Sequence, residues 1–88
     1  MYEVRIYKKA QKEIKRLPGI HQKAIIETLA DIQEDPSLGK SLARELSGKF
    51  SYKIGVYRII YKINKKEKIV QVVTVGHRAN VYNNWLNI

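Results

Sequence analysis

The chain has 88 residues, enough for one small hydrophobic core and not for two. With 44% hydrophobic and 28% charged residues it is composed like a folded domain, and no run nears the roughly 18 apolar residues of a membrane-spanning helix. It contains no cysteine, which excludes a disulfide framework and any thiolate metal site, and its formal net charge is +9.

From the N-terminus, Tyr2, Val4 and Ile6 alternate with Glu3, Arg5 and Tyr7, the period of a half-buried strand. The same alternation lacks the apolar stretch of a signal peptide, so export is not expected and a cytoplasmic setting is. From Lys8 the period changes. Ala10, Ile14 and Leu17 fall on one side and Lys9, Lys12, Lys15 and Arg16 around the other, which predicts a short amphipathic helix. Pro18-Gly19 stops it, because the residue before proline is pushed out of helical geometry. A longer helix follows from about Ile20 to Glu34, with Ile25, Leu29 and Ile32 as its stripe, Ile26 and Ala30 widening it, and Asp35-Pro36 ending it. The short connection forces a helical hairpin.

Residues 37–48 read as a loop, with Leu42 and Leu46 as anchors. Three strands come next. In the first, Phe50, Tyr52 and Ile54 share one face, with Ser51 and Lys53 on the other. Gly55-Val56 allows a reversal, and Tyr57, Ile59, Tyr61 and Ile63 then oppose Arg58, Ile60 and Lys62. Asn64 to Lys68 reads as a charged hairpin turn. Ile69 to Val75 is apolar on both faces, as in a central strand covered on both sides, and Gly76 is expected to end it. The tail from His77 to Ile88 has room for a helical turn, with Tyr82 and Trp85 able to pin it to the core.

The order β-α-α-β-β-β predicts a single α+β domain over residues 1–88: an antiparallel-rich four-stranded sheet with the N-terminal helical hairpin packed on one face. If Tyr52 and Tyr57 face the helices, then Ser51, Lys53, Arg58 and Lys62 lie together on the opposite face, expected to be open and basic. That expectation depends on an even register across Gly55. The charge distribution agrees with it. Residues 1–39 carry seven Lys/Arg against six Asp/Glu, a net of +1, and residues 40–88 carry ten against two, a net of +8. Such asymmetry suits a polyanionic partner, either nucleic acid or an acidic protein; the plainer alternative is a merely soluble basic surface.

Three segments taken together resemble the RelE/ParE superfamily of type II toxins. They are Leu46-Ser47-Gly48, Tyr52-Lys53-Ile54-Gly55-Val56-Tyr57-Arg58-Ile59-Ile60-Tyr61, and Gly76-His77-Arg78 with Tyr82. The opening strand and the helix ending at Leu17-Pro18 are also similar, so the resemblance covers nearly the whole chain. It implies a RelE-like fold and a cognate antitoxin protein, with contact to DNA only indirectly through an antitoxin complex. For the RelE branch it implies metal-independent cleavage of mRNA in the ribosomal A site, by attack of a ribose 2′-hydroxyl on the adjacent phosphate. For the ParE branch it implies inhibition of DNA gyrase. A non-catalytic module that only binds RNA or an antitoxin is a third reading.

By the resemblance, Arg58 steadies the phosphate, Arg78 supports the transition state or leaving group, and Tyr82 stacks on the attacked nucleotide. Lys53 takes the place of a basic residue, and His77 stands where relatives carry Lys or His. RelE-type enzymes often have a second basic residue two positions before the Lys53 site, and this chain has Ser51 there, with Lys49 able to reach in from the strand start. Lys49, Ser51, Lys62 and Arg44 are the expected RNA contacts. The chemistry asks for the same residue types. Internal phosphoryl transfer needs a base for the 2′-hydroxyl, a cationic clamp for the charge on phosphorus and an acid for the leaving 5′-oxygen. Guanidinium groups match phosphate oxygens, and an imidazole is the side chain that trades a proton around neutrality. His77 and Lys53 are the two candidate bases. No Asp, Glu and His group with metal-ligand spacing, so neither a metal nor another cofactor is expected.

Overall fold

The computed structural model describes residues 1–42 and 48–77. The elements are β1 (Glu3–Ile6), α1 (Lys8–Lys15), α2 (Gly19–Glu34), a 3-10 turn (Pro36–Leu38), β2 (Lys40–Ser41), β3 (Lys49–Ile54), β4 (Tyr57–Asn64) and β5 (Ile69–His77). The sheet has five strands in the order β1-β5-β4-β3-β2, with β1 parallel to β5 and the remaining pairs antiparallel. The additional strand is β2, inside the expected loop: Lys40 and Ser41 pair with Ser51 and Phe50 at the sheet edge. Two residues are too few to leave a periodic signal, so only the partner strand defines them. No helix among the described residues is long and apolar enough to cross a membrane.

The helical hairpin covers one face. Ala10, Ile14, Ile25, Leu29 and Ile32 from the helices meet Ile59, Tyr61, Val70, Val72 and Val75 from the sheet in one buried cluster. The short connection between the helices is held by Gln22, whose Nε2 donates to the carbonyls of Leu17 at 2.7 Å and Lys15 at 3.3 Å. The Lys15 carbonyl, at the last residue of α1, is among those a helix leaves unsatisfied at its C-terminal end. The 3-10 turn is pinned from below by Tyr61. Its buried hydroxyl donates to the Pro36 carbonyl at 2.7 Å and accepts from the Gly39 amide at 2.9 Å. A Cβ on Gly39 would overlap that hydroxyl.

Two sheet details decide which side chains share a face. Ile54 pairs with Tyr57 around Gly55-Val56, and Gly55 has φ +54 while Val56 is not left-handed. This is the Gly-X hairpin turn whose twist matches the strands. It preserves an even register. The second detail is a β-bulge. Ile60 pairs with Thr74 and Tyr61 with Val72, so Val73 is the extra residue of β5. Beyond the bulge the strand's parity reverses. Gly76 does not end β5: the ladder continues through Arg58–Gly76 to Tyr57–His77 because β4 still offers partners there.

β1 pairs with β5 only as far as Val72, and α1 packs against β5 beyond that point. Glu13 does there what a neighbouring strand would do. Its carboxylate accepts the Val75 N–H at 3.1 Å and the Thr74 hydroxyl at 2.8 Å, and Lys9 Nζ donates to both Glu13 and Thr74 at 2.9 Å. A buried amide left without a partner costs about 1–3 kcal/mol.

Replacing Glu13 with Ala is therefore expected to lower stability by about 1–3 kcal/mol and to accelerate hydrogen exchange at the Val75 amide first. Denaturant unfolding and amide exchange measure the two effects. Burial raises the Tyr61 pKa above its ordinary value of 10.0. A raised folded-state pKa keeps its contribution below the unfolded value and loses it as pH rises. Wild-type stability should fall as pH climbs past about 10, and Tyr61→Phe should flatten that fall while costing about 1 kcal/mol at neutral pH.

Candidate functional site

The β3–β4 ladder brings the candidate cations together as cross-strand pairs. Lys53 lies opposite Arg58, and Lys49 opposite Lys62, with Ser51 opposite Ile60 between them. Phe50, Tyr52, Ile54 and Tyr57 occupy the other face, packed against the helix-side core. Neither β2, β3 nor β4 carries a carboxylate. Like charges directly opposite each other in a sheet are unfavourable by a few tenths of a kcal/mol. Two such pairs, with the Ser51–Ile60 pair between them, concentrate positive charge on one face. Arg58 is partly buried and its Nη1 donates to Ser51 Oγ at 3.4 Å, so the serine that stands where a cation was expected acts as a partner of the arginine. Lys62 Nζ lies 5.6 Å from the centroid of the Tyr7 ring, which holds the ammonium on the same face.

The expectation of an open second face needs correction at its centre. Ser51 is 4% exposed, Ile60 0%, Val73 3% and Thr74 0%. An apolar β5 flanked by Ile60 cannot face water across its full width, and α1 side chains reach round to Thr74. The cations accordingly ring a closed centre rather than line a bare plane.

His77 is separated from the others. Its ladder partner is Tyr57, with ring centroids 6.2 Å apart, and Tyr57 in turn meets the ring of His21 on α2 at 5.1 Å. His77 thus belongs to the helix-covered face while Arg58 and Lys53 belong to the opposite one. His21, which the sequence alone would leave at the surface, is half-buried in this aromatic group. Arg44, Arg78 and Tyr82, together with Leu46 and Trp85, lie outside the described residues.

One further cation has no signature in the sequence. Lys40 on β2 pairs with Ser51, which puts it on the face of Lys53 and Arg58. Nothing in its local sequence marks it, since β2 exists only as an edge added to β3. Away from the cations, Tyr2, Glu34, Asp35, Pro36, Ser37, Phe50, Ile63 and Lys65 line a groove of about 440 Å³ that none of the candidate residues enters.

A basic, sheet-borne surface behind a helical hairpin defines a small α+β scaffold, and known proteins share it. Residues 4–82 match the family described as the ParE toxin of type II toxin-antitoxin systems. The chain is 36% identical over 83 residues to Toxin RelG of Mycobacterium tuberculosis, covering 92% of this chain and 95% of that protein. It is 30% identical over 83 residues to Toxin RelE of the same organism, covering 92% and 86%. The toxin–antitoxin complex RelBE2 of M. tuberculosis superposes with a TM-score of 0.82 at 35% identity, covering 88% of this chain and 98% of the matched one. The isolated Escherichia coli RelE toxin has a TM-score of 0.76 at 22% identity, covering 99% and 97%, and shares the fold. The protein belongs to the RelE/ParE superfamily of type II toxins.

Because Lys53 faces Arg58, Lys53→Gln is expected to stabilise the fold by about 0.2–1 kcal/mol at low salt while weakening binding of an anionic partner. The gain in thermal midpoint should shrink as added salt screens the pair.

Proposed function

We propose that the protein is a ribosome-dependent mRNA endonuclease that inhibits translation, acting in the cytoplasm and held in check by a cognate antitoxin. The observation that carries the reading is the paired cationic face, Lys53 against Arg58 and Lys49 against Lys62, on a scaffold related to toxins named RelG and RelE. A related toxin's solved complex with its antitoxin supports the antitoxin partner. An acidic antitoxin segment would inhibit by occupying the cationic face.

In this reading the substrate supplies its own nucleophile. The 2′-oxygen forms a bond to the adjacent phosphorus, the bond to the 5′-oxygen breaks, and the products are a cyclic phosphate and a 5′-hydroxyl. The 2′-hydroxyl proton leaves to a base, and the departing oxygen takes one from an acid. Arg58 stabilises the charge that grows on the phosphate oxygens, a service typically worth several kcal/mol in such sites. By the family resemblance, Arg78 supports the transition state or leaving group, and Tyr82 stacks on or orients the attacked nucleotide. Of the two candidate bases, Lys53 shares the face of Arg58, which favours it over His77. No metal and no cofactor enters the step.

A second reading, a ParE-like inhibitor of DNA gyrase, is favoured by the description of the matched family and by Ser51 in place of a cation. Primer extension on messages from cells induced for the toxin separates the two. Codon-phased cuts within translated regions are expected, and Arg58→Ala should reduce them by at least about 100-fold. Lys53→Gln should reduce them more than His77→Gln does. Intact messages accompanied by gyrase–DNA cleavage complexes would overturn the nuclease reading.

A further inference from the structure

On the cationic face, side chains of β3 recur every second residue, about 7 Å apart along the strand. The register sorts the cations into three successive rows. Lys53 and Arg58 form the first, Lys40 stands beside Ser51 in the second, and Lys49 and Lys62 form the third. Lys40 and Lys53 are exposed, while Lys49, Arg58 and Lys62 are half-buried. The second row is closed toward the sheet centre by buried Ile60 and Thr74, so its charge is available only at the β2 edge. On the opposite side of the sheet the field fades. Arg5, which pairs with Gln71 at the end of the third row, is bound to Glu3.

We propose that this edge is a phosphate track for single-stranded RNA, in which Lys40 holds a phosphate between those held by the Lys53/Arg58 and Lys49/Lys62 rows. The row spacing is comparable to that between successive phosphates of an extended single strand. Ordinary solubility would not require an uninterrupted cationic series with every carboxylate left off three adjacent strands. The track rests on the proposed action on RNA and extends it, giving the sites flanking the Arg58 phosphate a direction along β3. Lys40 is a binding residue in this arrangement, one phosphate along from the one that Arg58 holds.

The test is the salt dependence of binding to a fluorescent 2′-O-methyl RNA dodecamer, which cannot be cleaved. For single strands each phosphate contact contributes about 0.7 to the slope of log K against log salt. Lys40→Ala is expected to make the slope shallower by about 0.7, with an unchanged unfolding midpoint in denaturant. Lys23→Ala on exposed α2 serves as control and should leave the slope unchanged. An unchanged slope in Lys40→Ala, or no saturable binding at low salt, would overturn the track. So would a poly-glutamate peptide that binds in a Lys40-dependent way where the RNA does not. Cleavage is not read in this assay, so failure of the nuclease reading appears in the primer-extension maps alone. Intact messages together with a Lys40-dependent slope would leave RNA binding standing without cutting.

Discussion

The two-residue hairpin at Gly55-Val56 is the constraint from which the rest follows. Gly55 adopts a positive φ at little cost, and the resulting turn closes Ile54 on Tyr57 with no residue to spare. A slip of one residue would send Lys53 and Arg58 to opposite faces and put one of them into the helix-covered core. With the register even, apolar and aromatic side chains pack under the hairpin, as in the Phe50–Tyr61 stack with centroids 5.6 Å apart. Every cation of β2, β3 and β4 is then left on the other side. Folding and charge display are two consequences of one turn.

The sheet is finished by side chains where strands run out. β1 stops at Ile6, and Glu13 satisfies the Val75 amide of β5 from a helix. At the opposite edge, the Tyr61 hydroxyl fastens the 3-10 turn that delivers β2 to β3. The second attachment matters for the cationic face as well as for stability, because Lys40 reaches that face only if β2 pairs with β3. A core tyrosine thus positions a surface lysine without touching it. The like-charge pairs on β3 and β4 work in the other direction, since like charges opposed across a sheet cost stability.

Much of this architecture is legible in the order of the residues. The helices, the four longer strands and the grouping of Ser51, Lys53, Arg58 and Lys62 all follow from periodicity, because amphipathic patterns are local and repeat over several residues. The extension of β5 through Gly76 is not legible in that way. Glycine signals an ending in isolation, and only the partners on β4 show that the ladder continues. The closed centre of the second face is hidden for a related reason: strand alternation says which residues share a face, not whether something covers them.

Local pattern is enough to establish the α+β class, the segregation of charge into the C-terminal half and the alternation that collects Lys53 with Arg58. The company of His77 is settled only by the assembled sheet. Simple alternation from Ile69 would set it beside Arg58. The bulge at Val73 reverses that parity and turns His77 toward Tyr57 and His21 instead. A bulge is an event between two strands: one residue of β5 fails to find an opposite number on β4. Lys40 is hidden for the same physical reason, since a two-residue edge strand has no identity apart from the strand it pairs with.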